Sequence, residues 1–373
     1  MDQSLAPSNN KPQYYPVLDL VRFIAALLII FIHIFPEGSS TQSIGLDTSV
    51  PMLLTESFVY AILRPAVPIF FVISSFLLFR KIELDPENKW GYIKRFLLRL
   101  VFLALFWYVL ALPLTIKDIT GLVRQGDTFN LIRYIVITLW KGAPRGFWFL
   151  VSLGECVLIT ALCKSKKSMV ILTVVASCLF IYGCFNSACF GIIVNNDSPF
   201  ARGLANAGNY LEFSYCQLEA LIFVVLGKIF AMHGPFKIKN GLIFIILAFL
   251  VMAGELFLTL YFGLFVYPDA YFALPIFVFL FMNKMLSLNV ENPSFIKVAK
   301  KLKKVGSFSY LFHIQFFAYL HWILDSLGSN VFREQIALLL IPYFVCVLLC
   351  FGLQTLFEYL SKYKYLRFLK YAY

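Results

Sequence analysis

Ten stretches of roughly 20 predominantly apolar residues, the length that crosses a bilayer core, run through this chain. They lie at about 17–35, 58–79, 96–116, 147–163, 169–185, 213–232, 241–263, 266–286, 306–325 and 336–360. The windows around Leu153 and Cys178 are the shortest. Of the 373 residues, 60% are hydrophobic and 14% charged, against about 45–50% and about 25% in soluble domains. A water-facing exterior cannot hide that much apolar surface. Soluble enzymes, secreted disulfide scaffolds and disordered chains are excluded. The expected fold is all-α, a polytopic membrane helix bundle of about ten transmembrane helices.

The net charge of +12 has a topological explanation. With the N-terminus in the cytoplasm, 22 of the 32 Lys and Arg fall inside, 7 outside and 3 (Arg22, Arg64, Arg99) within spans. This asymmetry predicts ten spans with both termini cytoplasmic, and it removes nucleic acid as the reason for the basic balance. The expected organisation is a polar cytoplasmic N-terminus (1–16), one membrane domain (17–360) and a basic cytoplasmic tail (361–373). The first span reads as a retained helix rather than a cleavable signal, because it is long and has no small-residue cleavage site. The eight Cys show no C-x-x-C or metal-ligand spacing and read as small buried hydrophobes; no metal site is expected. Residues 117–146 carry five of the seven outer cations. They read as an amphipathic interfacial helix with snorkelling side chains, or else as a basic collar for an anionic acceptor.

Ionisable residues within spans are costly and usually face a cavity. The first span carries Asp19, Arg22 and His33. Asp19 and Arg22 are spaced i,i+3 and can neutralise each other. Arg22 and His33 are eleven residues apart, three turns plus about 20°, so they share one helix face about 16 Å apart along the axis. Taken singly, Arg22 can snorkel and His33 can sit at the interface; as a pair on one face they point to a shared use. A donor with a phosphorylated head and a long thin arm would place phosphate at Arg22 and its reactive end near His33. Coenzyme A has that shape, and imidazole is the natural base for a hydroxyl near neutral pH.

Leu18-Asp19-x-x-Arg22-x10-His33 resembles the opening signature of the acyltransferase-3 family of integral membrane O-acyltransferases. Val67 to Leu78 resembles the family's second-helix motif, with Ser75 where glycine is usual. Lys94-Arg95-x-x-x-Arg99, Phe147-Trp148-Phe149-Leu150 and Tyr310-Leu311-Phe312-His313 resemble later elements in the family's order. The resemblance implies a ten-helix enzyme of the bacterial cytoplasmic membrane. Such an enzyme moves an acyl group, commonly acetyl, from cytoplasmic acyl-CoA to a hydroxyl of a cell-envelope saccharide, free or lipid-linked. It carries Arg22 and His33 over as the functional pair and Arg95 and Arg99 as part of a basic run. Some members add an extracytoplasmic hydrolase-like domain; none is expected here, so the membrane core would act alone, as an oligomer or with a partner.

The remaining polar positions have structural and functional readings side by side. Arg95 and Arg99, spaced i,i+4 at the cytoplasmic edge, serve as topological anchors or, for Arg99 above all, as CoA-phosphate ligands. Glu155, Glu219 and Glu255 lie within spans, and Glu219 or Glu255 can orient the His33 imidazole as a triad carboxylate does; the spacing does not rank them. His313 is expected to line the donor tunnel in its cytoplasmic third, and His321 and His233 read as interfacial and solvated. Trp148 is a packing residue or a platform for a sugar ring. Arg64, beside Pro65 and Pro68, interrupts the second span where a cavity wall would tolerate it, and it is a candidate acceptor contact. The rival reading is a transporter or flippase of a glycan or lipid-linked intermediate using the buried charges as coupling sites, although no inverted repeat is visible.

Overall fold

The computed structural model describes residues 14–34, 49–142, 146–194, 198–211, 217–264, 269–326 and 336–373. The described residues form helices and connections with no strand. In chain order the helices are α1 (Pro16–Ile32), α2 (Val50–Leu63), α3 (Ala66–Leu84), α4 (Lys89–Arg124), α5 (Thr128–Lys141), α6 (Trp148–Leu162) and α7 (Lys166–Phe185). There follow α8 (Phe190–Val194), α9 (Pro199–Leu211), α10 (Gln217–His233), α11 (Gly241–Tyr261), α12 (Leu274–Ser287), α13 (Pro293–Ser326) and α14 (Ile336–Leu360). Each of the ten apolar windows coincides with a helix, and the fold is an all-α polytopic membrane bundle. By length and composition five stretches suffice to cross a bilayer by themselves: 50–84, 86–124, 166–185, 241–261 and 340–360.

The structure extends several windows and shortens others. The second span begins earlier than expected, as α2, and breaks at Arg64–Pro65 before α3. Pro65 and Pro68 lack an N–H, so the carbonyls four residues back, at Ala61 and Arg64, lose their helical donors. Helix α4 runs 36 residues, about 54 Å, so 117–124 continues a helix rather than forming an outer loop. The amphipathic segment is α5: Asp127 caps it through Oδ1 to the Asn130 N–H at 3.0 Å. Those hydrogen bonds hold the Asp127 carboxyl below its ordinary pKa. Phe129, Ile132, Ile135 and Val136 of α5 are exposed.

Helix α6 has only 15 residues, and its C-terminal carbonyls are taken up from inside the protein. Lys228 Nζ donates to Thr160 and Cys163 carbonyls at 2.9 and 2.7 Å, and Lys89 Nζ donates to Ala161. Cations at a helix C-terminus complement its exposed carbonyls. Lys228, counted from sequence among cytoplasmic loop charges, is thereby buried.

Two close approaches set the frame. Helix α10 packs most extensively against α3, where a Cβ on Gly227 would lie 2.8 Å from the Val72 carbonyl oxygen and 2.9 Å from the Phe76 nitrogen. Ser75, the departure from the family's glycine, sits at this crossing and donates to the Phe71 carbonyl at 2.7 Å. The small residue the crossing needs is therefore on α10. Helix α1 packs against α13, with Gly306 close enough that a Cβ there would meet the Phe23 Cα at 2.9 Å. Asp19 pairs with Lys303, Phe23 meets Gly306, and His33 meets His313. Those rungs rise in the same order on both helices, so α1 and α13 run parallel.

Candidate functional site

The parallel pair α1–α13 carries two clusters. At its lower end, Asp19 is 2% exposed and Arg22 9%. Lys303 Nζ lies 3.4 Å from Asp19 Oδ1, and the Tyr14 hydroxyl donates to Oδ2 at 2.6 Å. Lys303 and Tyr14 thus engage the carboxylate oxygens while the Asp19 charge also acts on Arg22, so the expected Asp19–Arg22 neutralisation is shared with Lys303. Arg22 Nε is buried with no hydrogen-bond partner among the described residues. The charges of Arg99 and Lys303 act on Arg22 and on each other. Three cations thus surround one carboxylate, with a buried donor left over, which suits a phosphate. Arg99 keeps accessible surface. Arg95 is exposed, its guanidinium 4.9 Å from the Tyr92 ring.

At the upper end, the rings of His33 and His313 face each other with centroids 5.0 Å apart. His313 is fully buried and its Nδ1 lies 2.9 Å from the Ser309 carbonyl. That carbonyl can only accept, so Nδ1 carries the proton and Nε2 is a bare acceptor. Nε2 has no partner among the described residues. His33 sits where α1 ends and, deep among other groups as it is, retains an exposed ring. The structure places His313 beside His33, not in the cytoplasmic third of a donor tunnel. Helix α13 begins at Pro293, thirteen residues before the apolar window, and its twenty-first residue lies at the level of the end of α1.

Aromatic rings wall this pair. Trp148 lies 5.9 Å from Phe71, Phe71 4.5 Å from Phe149, Phe149 4.8 Å from Tyr310, and Tyr310 6.1 Å from His313. Trp148 is half-buried at the end of that row.

Beyond His33 lies Arg64, the charged group acting on it. Arg64 is ion-paired to Asp269, each side chain 7% exposed, and its guanidinium stands 5.1 Å from the Tyr60 ring. Backbone N–H groups of Asp269 and Ala270 donate to Ser187 Oγ at 3.1 and 3.2 Å, anchoring the carboxylate. Asp269 was missed because it falls at the edge of a span window. Glu56, 2% exposed on α2, was missed because the second window began after it.

The two carboxylates proposed as orienters of His33 lie elsewhere. Glu255 accepts from the Phe272 and Ala273 N–H groups at 2.7 and 3.0 Å, capping the start of α12, a favourable place for an anion. Glu219 is 8% exposed and faces Gly183 of α7. Both act on Cys184. The group nearest in kind to an orienter of His33 is His313. No cluster of three potential metal ligands occurs among the described residues.

Buried Arg22 beside the more exposed Lys303 and Arg99 at one end of a helix pair, and two neighbouring imidazoles at the other, form a polar site inside an all-α membrane bundle. An acyltransferase domain family matches residues 15–359, and the chain belongs to that family. Two curated proteins of Enterococcus faecalis, both described as an amino-acid racemase, are also similar. One is 26% identical over 190 residues, covering 50% of this chain and 24% of the relative. The other is 28% identical over 190 residues, covering 49% and 23%. The chain thus spans about a quarter of the length of these relatives. No solved structure matches it.

Proposed function

We propose that the protein is a membrane O-acyltransferase that moves an acyl group, acetyl in the simplest case, from cytoplasmic acyl-CoA to a hydroxyl of a cell-envelope saccharide. The setting is the bacterial cytoplasmic membrane. The observation carrying this reading is the α1–α13 pair, with Arg22, its Nε unpartnered among the described residues, beside Arg99 and Lys303 below and His33 against His313 above. Arg22, Arg99 and Lys303 would hold donor phosphates. His33 would accept the proton of the acceptor hydroxyl as its oxygen attacks the thioester carbonyl carbon. The C–S bond breaks, and the imidazolium returns the proton to the departing thiolate, so the site ends as it began. His313, its own N–H engaged with Ser309, would receive an N–H from His33 and leave the other His33 nitrogen bare to act as base.

Arg64 and Asp269, just beyond His33, together with Trp148 at the end of the aromatic row, would meet the acceptor; stacking of a sugar on an aromatic face fits that place. The relatives' racemase description is no guide to this chemistry, since less than a quarter of each lies in the match. Purified protein incubated with radiolabelled acetyl-CoA and candidate glycans tests the reading. Label is expected on the glycan with wild type and not with His33→Asn. A flippase would move glycan without any dependence on CoA, and that result would overturn it.

A further inference from the structure

A second concavity, separate from both clusters, opens at the lower end of the bundle. Its volume is about 710 Å³, and it lies among the end of α3, the α10–α11 turn and the end of α12. That is within the usual range for a small-ligand site, roughly 300–1,000 Å³. Its charged and titratable lining residues are Arg80, His233, Lys237 and Lys284, with no acidic residue among those that line it. Four such groups without a carboxylate focus anions. The C-terminal dipoles of α10 and α12 account for His233 and Lys284, and Arg80 donates to the Ala231 carbonyl in the last turn of α10 at 3.4 Å, which holds its guanidinium at the cavity; Lys237 lies beyond both last turns.

The walls are built, not incidental. The Asn283 carboxamide uses both ends on one residue, accepting from the Phe236 N–H at 2.7 Å and donating to its carbonyl at 2.9 Å. This fixes the turn after Gly234, which adopts φ +70°. Phe236 lies 6.2 Å from His233 and 5.8 Å from Phe279, giving an aromatic wall. Opposite, Tyr15 packs edge-on to Phe76 at 5.1 Å. Tyr15 immediately precedes α1; Arg22 is two turns above it, about 10 Å, and His33 about 16 Å further.

We propose that this cavity holds the adenosine 3′-phosphate end of the acyl-CoA donor, an aromatic base beside Tyr15 and Phe236 and the ribose 3′-phosphate among Arg80, Lys237 and Lys284, with the diphosphate left to Arg22, Arg99 and Lys303. The proposal rests on the acyltransferase reading and extends it to residues outside the matched motifs. The probe is adenosine 3′,5′-bisphosphate, which lacks the acyl-bearing arm, titrated calorimetrically into the full-length protein in detergent. Lys237 and Lys284 are exposed, so K237A/K284A leaves the bundle intact. The double variant is expected to bind the probe about tenfold more weakly or worse, and to raise KM for acetyl-CoA by a similar factor with kcat kept. K166A/K167A, on a different cytoplasmic turn, is expected to match wild type. Unchanged affinity in K237A/K284A overturns the assignment while leaving acyl transfer standing. Displacement of the probe by vesicles containing phosphatidylglycerol, but not by neutral vesicles, overturns it in favour of a lipid headgroup site. Probe binding that needs Lys237 and Lys284 in a protein that transfers no acyl group supports a nucleotide site and sinks the acyltransferase reading.

Discussion

The lower and upper ends of the α1–α13 pair use the same backbone geometry for opposite electrostatic purposes. Below, Arg22, Arg99 and Lys303 outnumber Asp19, whose two oxygens already serve Lys303 and Tyr14. The Arg22 Nε there is left without a hydrogen-bond partner among the described residues. Above, the charged group acting on His33, Arg64, is bound to Asp269, and the His33 ring lies against a second imidazole. An unsatisfied buried cation costs free energy unless a ligand brings the missing charge. The lower end is therefore built to bind and the upper end to exchange a proton. The contrast also explains why one helix pair needs a glycine contact between its ends. Gly306 against Phe23 sets the register that puts Lys303 by Asp19 and Arg22 below and ring against ring above.

Substitutions can break this contrast, beginning at the upper end. His33→Asn is expected to lower kcat for labelled acyl transfer about 10²–10⁴-fold, with donor KM little changed. His313→Gln is expected to cost less and to shift the pH–rate profile, because a glutamine cannot titrate with His33; a profile identical to wild type would count against the facing-ring role. Breaking the buried pair with Asp269→Asn should destabilise by about 3–5 kcal/mol, read as a lower thermal midpoint. Arg64→Met with Asp269→Leu should recover most of that loss, since replacing both partners leaves no orphan charge.

At the lower end, Arg22→Gln is expected to raise donor KM by about one to two orders of magnitude and leave kcat largely intact, the reverse of His33→Asn. Smallest of all is Lys304→Ala. Its ion pair with Glu358 is short at 2.6 Å, but both side chains are about two-fifths exposed, 42% and 43%. Such pairs contribute about 0–1 kcal/mol, and no change in transfer is expected.

The spans and the Arg22–His33 stripe could be read from the amino-acid order because both depend on local periodicity: 20 apolar residues make a span, and eleven residues return to one helix face. What could not be read depends on contacts between helices. His313 was placed too low because nothing local says that α13 starts at Pro293, far beneath the apolar window. Its pairing with His33 follows from a glycine contact with Phe23, 283 residues away in sequence. Glu255 looked like a catalytic carboxylate because a lone Glu in a span has no visible partner. The partners are backbone N–H groups of Phe272 and Ala273, which no side-chain pattern reveals. Lys228 looked like a loop charge for the same reason, since the groups it satisfies are main-chain carbonyls of α6.

The account stands on a cytoplasmic donor end and an outward proton-transfer end joined along one helix pair, and sidedness tests that most directly. Membrane vesicles of opposite orientation, inside-out and right-side-out, are supplied externally with acetyl-CoA labelled in the acetyl group. Label should reach saccharide only in inside-out vesicles, where Arg22 and Arg99 face the added donor, and His33→Asn should abolish it. Equal labelling in right-side-out vesicles that remain sealed would contradict the account.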